Sequence, residues 1–208
     1  TLAQIESHPT IQRLLPALSQ AAHAIATPQI RALATLGGNL LQRPRCWYFR
    51  NAELPCLKKG GRTCLAVTGE NKFHAILGGG PSYIVHPSTL ACALVALDAQ
   101  VEVRGDAART IGISELFVSP KDDPKREHVL APGEVLVRAT LPAPRAGQRS
   151  GYAAVKEKQS HDWPLAEVAV RLSLEAGAMK DVRVALGHVA PVSTPRPPRP
   201  PSTNATLR

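Results

Sequence analysis

The sequence predicts an α+β fold, and two periodicities carry that prediction. Leu14, Leu15, Leu18, Ala21, Ala22 and Ile25 recur at intervals of three and four, which is one buried helical face. Further along, Val101–Arg104, Arg109–Ile113 and Glu134–Leu141 alternate apolar and polar residues, the pattern of half-buried strands. Proline sets the first boundaries. Pro16 splits the N-terminal pattern into a short helix before it and a second helix that starts with Pro16 in its first turn. Thr27-Pro28 repeats the logic, with Thr27 as N-cap and Pro28 as first helical residue. Gly37-Gly38-Asn39, within Thr35–Asn39, reads as a turn that ends the preceding element.

Residues 43–83 show neither period and hold three cysteines, so a long irregular loop is expected there. Loops of that length in a domain are usually functional or disordered. After His86-Pro87, Ser88 is the expected N-cap of a buried helix over Leu90–Ala96. The strands at 101–104 and 109–113 form a hairpin through Gly105-Asp106, and Ser114–Phe117 adds one helical turn. Pro142–Gly151 reads as a linker. Tyr152–Lys158, Leu165–Leu174 and Val182–Leu186 then form an antiparallel meander. Such a unit needs something packed on it to be stable. The Pro-Arg-rich residues 194–208 are expected to be extended and irregular.

Composition narrows the function classes. The chain has 208 residues, 44% of them apolar, which excludes a disordered polymer. No apolar run reaches the roughly 18 residues of a membrane span. Four cysteines are too few for a disulfide scaffold, and no secretory signal is visible at Thr1, which is not an initiator Met. The net charge of +9 draws anions, but the excess is concentrated in residues 43–62 and the acid-free tail. With 4% aromatic residues the chain lacks base-stacking platforms, so no nucleic-acid partner is expected.

Two sets of residues have chemical potential. Cys46, Cys56 and Cys64 lie in the basic loop, where three soft donors suit an iron–sulfur cluster or zinc better than a disulfide. Neighbouring Lys and Arg charges would stabilise their thiolates. Cys92, between Ala91 and Ala93, reads as a small buried thiol. The second set is Thr35, Gly37, Gly38 and Asn39, whose main-chain N–H groups would approach a phosphate or a flavin closely.

The order of the motifs resembles one family. Gln29-Ile30-Arg31, Ala34-Thr35-Leu36-Gly37-Gly38-Asn39-Leu40 and Arg45-Cys46-Trp47-Tyr48-Phe49-Arg50 come first. Gly69–Ile76, Val85-His86-Pro87-Ser88, Leu94–Ala99 and Leu186-Gly187-His188-Val189-Ala190-Pro191 follow. Together they resemble the FAD-binding (medium) subunit of molybdenum hydroxylases of the xanthine dehydrogenase and aldehyde oxidoreductase type, over residues 1–192. The resemblance implies the second subdomain of a PCMH-type FAD-binding domain at 1–143, with the cysteine loop inserted at about 43–83. A truncated C-terminal domain with an antiparallel sheet would occupy 150–192, and residues 193–208 depart from the family pattern. It also implies that the phosphate-cradling subdomain of relatives has no counterpart in these residues.

For the site, the resemblance implies FAD held by Thr35, Gly37, Gly38 and Asn39. Ser88 and Thr89 would lie near the ribityl or pyrophosphate, with Thr89 where relatives often carry an acid. Lys156 would face the isoalloxazine. A branch of the family holds a [4Fe–4S] cluster in an inserted loop; Cys46, Cys56 and Cys64 match three of its ligands, and Ser82 stands at the fourth. His74 is another residue that would complete such a set. The implied function is electron transfer with no catalytic residue on this chain: a molybdopterin-binding large subunit and a [2Fe–2S] small subunit pass electrons through FAD to a terminal acceptor. A cytoplasmic location is expected, or a periplasmic one through a partner's export signal. The rival reading is a non-enzymatic iron–sulfur or subunit-bridging scaffold that has lost flavin.

Overall fold

The N-terminal helices are cut by proline more often than the apolar period alone indicates. The computed structural model describes residues 1–158 and 161–193, together with the backbone of 195 and 196. In it, α1 (Leu2–Ser7), α2 (Pro9–Leu14) and α3 (Pro16–His23) replace the two helices expected before Ile25. Pro9 opens α2 as Pro16 opens α3, because a proline at the first helical position forfeits no intrahelical bond. Next, α4 (Pro28–Leu33) is capped by Thr27 as expected, its side chain accepting from Ile30 N. The Gly-Gly-Asn turn is corrected. Gly37, Gly38 and Asn39 lie inside a short helix, α5 (Leu36–Leu40), capped by Thr35 Oγ1, which accepts from Gly38 N at 3.0 Å.

The cysteine-bearing segment is irregular apart from α6 (Trp47–Arg50) and single 3-10 turns at Leu57–Lys59 and Leu65–Val67. It is tied to the rest of the chain by a buried cation. Lys58 Nζ donates to Pro124 O at 2.9 Å and pairs with Glu127 Oε1 at 2.9 Å, while Arg43 Nε donates to Glu127 Oε2 at 3.1 Å.

Helix α7 (Thr89–Ala96) is buried along its whole length, as its continuous apolar composition requires. Around it stand two antiparallel sheets. The first has the order β2-β1-β3, from β1 (Gln100–Arg104), β2 (Ala108–Gly112) and β3 (Val135–Thr140). A 3-10 turn at Ile113–Glu115 sits where a helical turn was expected. The second is the meander β4 (Gln148–Lys156), β5 (Pro164–Glu175), β6 (Ala178–Gly187) and β7 (Pro195–Arg196), in that order. Strand β7 corrects the expectation of an irregular tail at its start: Pro195 and Arg196 pair with Ala185 and Val184. Residue 194 and residues 197–208 lie outside the described residues.

What packs on the meander is helical. Strand β4 lies against α3, and α7 crosses β5 and β6, so Ala169 and Ala185 share one hydrophobic cluster with Leu18, Leu40, Leu90, Leu94 and Val101. Burying each of those leucines stabilises the fold by roughly 1.5–3 kcal/mol. The face of β5 turned inward is unexpectedly polar. Glu167, Ala169, Arg171 and Ser173 are buried, whereas the alternate residues Val168, Val170 and Leu172 are only partly covered. Arg171 is satisfied there by Asp181 Oδ2 at 2.8 Å.

Candidate cofactor site

Helices α4, α5 and α7 converge on a cavity of about 510 Å³. Thr35, Gly38 and Asn39 form one wall, Pro87 and Thr89 another, and Ile25, Ile30 and Trp163 supply apolar surface. Arg45, whose guanidinium lies over the Trp163 ring, brings a cation. Burial lowers the Arg45 pKa to about 10, and Arg50 adds to the effect, so it stays charged near neutrality. Glycine at 38 keeps this wall open: a Cβ there would meet Thr35 Oγ1 at 3.2 Å and occupy the space next to the capped backbone. The donor set fits a phosphorylated, flat, partly apolar group: a main-chain wall, two hydroxyls, one guanidinium and an indole.

The expected site residues divide into three groups. Thr35, Gly38, Asn39 and Thr89 come together on the cavity. Gly37 and Ser88 stand behind them. A Cβ on Gly37 would meet Leu136 O of β3 at 3.5 Å, an ordinary contact distance. Ser88 is fully buried; its Oγ accepts from Ala91 N at 3.0 Å as the α7 N-cap and donates to Asn39 Oδ1 at 2.7 Å. Asn39 Oδ1 also accepts from Leu90 N at 3.3 Å, locking α5 to α7. Lys156 lies apart. Its ammonium donates to Ala24 O at 3.0 Å, just past the end of α3, and lines a neighbouring cavity of about 500 Å³. The free carbonyl at a helix C-terminus attracts a cation, and this one takes the lysine.

Arg45 and Trp163 were not assigned to this site from the sequence. Arg45 stood in a quoted motif, but its stacking on Trp163 joins positions more than a hundred residues apart, which no local pattern reveals.

Beside this cavity lies a second, of about 580 Å³, lined by Trp47, Phe73, His74, Trp163, Leu165 and His188 among others. Trp47 meets Phe73 and His74 edge to face, at centroid distances of 5.9 and 5.3 Å. At Cys46 the expected stabilisation of the thiolate by neighbouring Lys and Arg is not seen. Burial raises the Cys46 thiol pKa, and the nearby Cys56 and Cys64 add to the rise, against the N–H groups of Phe49 and Tyr48. Burial lowers the His74 pKa, and His74 Nε2 lies 3.2 Å from Cys46 Sγ, a contact between two groups that burial keeps neutral. Cys56 and Cys64 are buried free thiols, as is Cys92, whose Sγ donates to Ala185 O. Among the described residues, no three His, Cys, Asp or Glu side chains converge on a point where a metal could sit. Ser82 is buried, and the side chain against Cys46 is His74. The three cysteines and Ser82 thus do not form a closed cage. No helix among the described residues is long and apolar enough to cross a membrane.

This sequence and architecture match known proteins. The family described as the FAD binding domain in molybdopterin dehydrogenase matches residues 1–144. The chain is 37% identical over 190 residues to the aldehyde oxidoreductase FAD-binding subunit PaoB of Escherichia coli, covering 89% of this chain and 58% of that protein. It is 29% identical over 188 residues to the nicotine 6-hydroxylase medium subunit of Paenarthrobacter nicotinovorans, covering 90% and 49%. The carbon monoxide dehydrogenase structure from Hydrogenophaga pseudoflava superposes with a TM-score of 0.63 at 23% identity, over 93% of this chain and 52% of that one. The chain spans about half the length of the relatives it matches. The chain belongs to the FAD-binding domain family of molybdopterin dehydrogenases.

Proposed function

We propose that this chain binds FAD in the cavity between Thr35–Asn39 and Thr89, as the electron-transfer flavin component of a molybdenum-dependent aldehyde oxidoreductase-type complex. A large molybdopterin-binding subunit and a small [2Fe–2S] subunit would deliver electrons, and a terminal acceptor would take them up. The observation that carries the reading is the cavity itself. Thr35, Gly38 and Asn39, singled out from the sequence, form its wall with a capped backbone and no side chain at Gly38. The curated relative with 37% identity is an FAD-binding subunit, which supports the same assignment.

When bound, FAD supplies the conversion between single-electron and two-electron transfer that such a chain of carriers needs. The protein's part is positional. Thr35 and Thr89 offer hydroxyls, Arg45 offsets phosphate charge, and Trp163 with Ile25 and Ile30 excludes water from an apolar ring. The Asn39–Ser88–Leu90 bonds fix the two walls against each other. In a complex purified with its companion subunits, flavin absorbance should accompany this chain, with riboflavin-derived material released on denaturation. A complex without that material overturns the proposal.

The cysteine loop is a finer part of the proposal. A [4Fe–4S] cluster on Cys46, Cys56 and Cys64, with His74 beside Cys46, would require the loop to draw these donors together, since among the described residues they do not converge, and no electron step is assigned to it. Iron and flavin are separable. Any iron held by the loop would be lost in Cys56→Ala while flavin is spared, as read by iron analysis beside flavin content. A wild-type complex with only the iron of its [2Fe–2S] subunit removes the cluster.

A further inference from the structure

The chain is poor in aromatic residues, yet both of its tryptophans, Trp47 and Trp163, line the cleft of about 580 Å³ beside the flavin cavity. Phe73 joins them, with Trp47 against it edge to face. Ile76 and Leu165 continue the apolar lining, and all five side chains are partly exposed. Five large apolar side chains left wet at one place mark a surface that receives something apolar. The cations of the cleft are already engaged. Arg45 lies over the Trp163 ring and donates to Gln42 Oε1; Lys72 lies over the Phe73 ring and pairs with Glu157. Asp162 adds a negative charge. Such walls suit a flat, uncharged ring better than a ligand that carries phosphates.

The cleft and the flavin cavity share a wall: Arg45, Asp162, Trp163 and Pro164 line both. Rings bound on the two sides of the Trp163 indole are kept about 7–8 Å apart, two layers of van der Waals contact. Hydride transfer needs reacting atoms about 3–3.5 Å apart, so this wall disfavours a nicotinamide. Electrons that cross singly need no such contact. We infer that the aromatic cleft binds the terminal electron acceptor and that this acceptor is a quinone. Its ring lies among Trp47, Phe73 and Trp163, and its apolar tail runs along Ile76 and Leu165. The inference rests on the FAD reading above. The reaction balances as FADH⁻ + quinone + H⁺ → FAD + quinol. The flavin gives up two electrons and one proton. Each quinone carbonyl oxygen becomes a hydroxyl, two protons in all, so one net proton is drawn from the solvent to which the cleft opens.

The test uses the intact complex and a short-chain benzoquinone carrying an azide, activated by light and followed by peptide mapping. Flavin content is measured first. Label is expected on the peptides of this chain that hold Phe73 and Trp163, and excess quinone without the azide should protect them. Ile76 is 78% exposed, so Ile76→Arg places a charge in the cleft lining without touching the core. In Ile76→Arg and in Phe73→Ala, labelling at subsaturating quinone should fall by at least about tenfold, the factor for about 1.4 kcal/mol of lost binding. Met179→Ala, which removes an exposed apolar side chain on β6 outside the cleft, should label as wild type. NAD⁺ should neither protect these peptides nor reoxidise the reduced flavin. In a flavin-replete complex, unlabelled cleft peptides, undiminished labelling in both cleft variants or reoxidation by NAD⁺ overturns the quinone site alone. A companion subunit covering the cleft would give the first of these results. A flavin-free wild type overturns the parent reading instead.

Discussion

Gly38→Val is expected to strip the complex of flavin while leaving the fold nearly intact. A Cβ at this position sits 3.2 Å from Thr35 Oγ1, tighter than ordinary contact, and the two γ-methyl groups extend from it into the cavity wall. A group that must lie against the main chain of α5 then meets methyls instead. Valine is no worse than glycine as a helix residue, so the change costs the chain about 1 kcal/mol or less. Flavin per mole of chain should fall by at least about tenfold, since losing about 1.4 kcal/mol of binding already gives that factor. Gly38→Ala is the graded control: it adds only the Cβ, which the Thr35 hydroxyl can clear by a few tenths of an ångström, and should retain most of the flavin. The readouts are flavin released on denaturation and the thermal midpoint of the same preparation. Unchanged flavin in a folded Gly38→Val complex would falsify the assignment of the cavity.

Local signals were the part of this molecule legible from its sequence. The caps at Thr27 and Ser88, the buried helix after Ser88 and the hairpin of β1 and β2 each follow from residues within one turn or one hairpin. Two local signals were overridden. Gly-Gly-Asn favours a turn, but the Thr35 cap and the anchoring of Asn39 to Ser88 and Leu90 hold it helical. The alternation of β5 places Val168, Val170 and Leu172 on one face, where an inward orientation would be the simple reading. Helix α7 packs on the other face, where Tyr152 OH donates to Glu167 Oε2 and Asp181 accepts from Arg171. Long-range partners have no local signature at all. Lys156 found a helix carbonyl, Arg45 an indole and Cys46 an imidazole, and each pairing depends on which loops the fold brings together.

Acid should loosen the cavity wall through one residue, His86. Its ring is fully buried against Phe117, and its Nδ1 accepts from Ser88 N at 3.3 Å, directly ahead of α7. Burial first, then the proximity of His188 and His128, pushes its pKa from the ordinary 6.5 down to about 3. A proton on Nδ1 would set N–H against the N–H of Ser88, the residue that caps α7 and holds Asn39. The unfolded chain therefore binds this proton between about pH 6.5 and 3 while the folded one refuses it. The stabilisation is complete above that window and drains away as pH falls through it, at about 1.4 kcal/mol per unit. At about pH 5 the loss from this residue reaches about 2 kcal/mol. His86→Gln removes the titrating group and keeps an oxygen able to accept from Ser88 N. Denaturant unfolding of both proteins at several pH values gives the comparison: the wild-type slope should exceed that of the variant by about one proton between pH 6 and 4. Because Pro87 and Thr89 line the cavity, flavin release should become easier over the same range in the wild type and stay flatter in His86→Gln. Parallel stability curves for the two proteins would mean that His86 is protonated in the fold after all, and the link from acid to the cavity wall would fail with it.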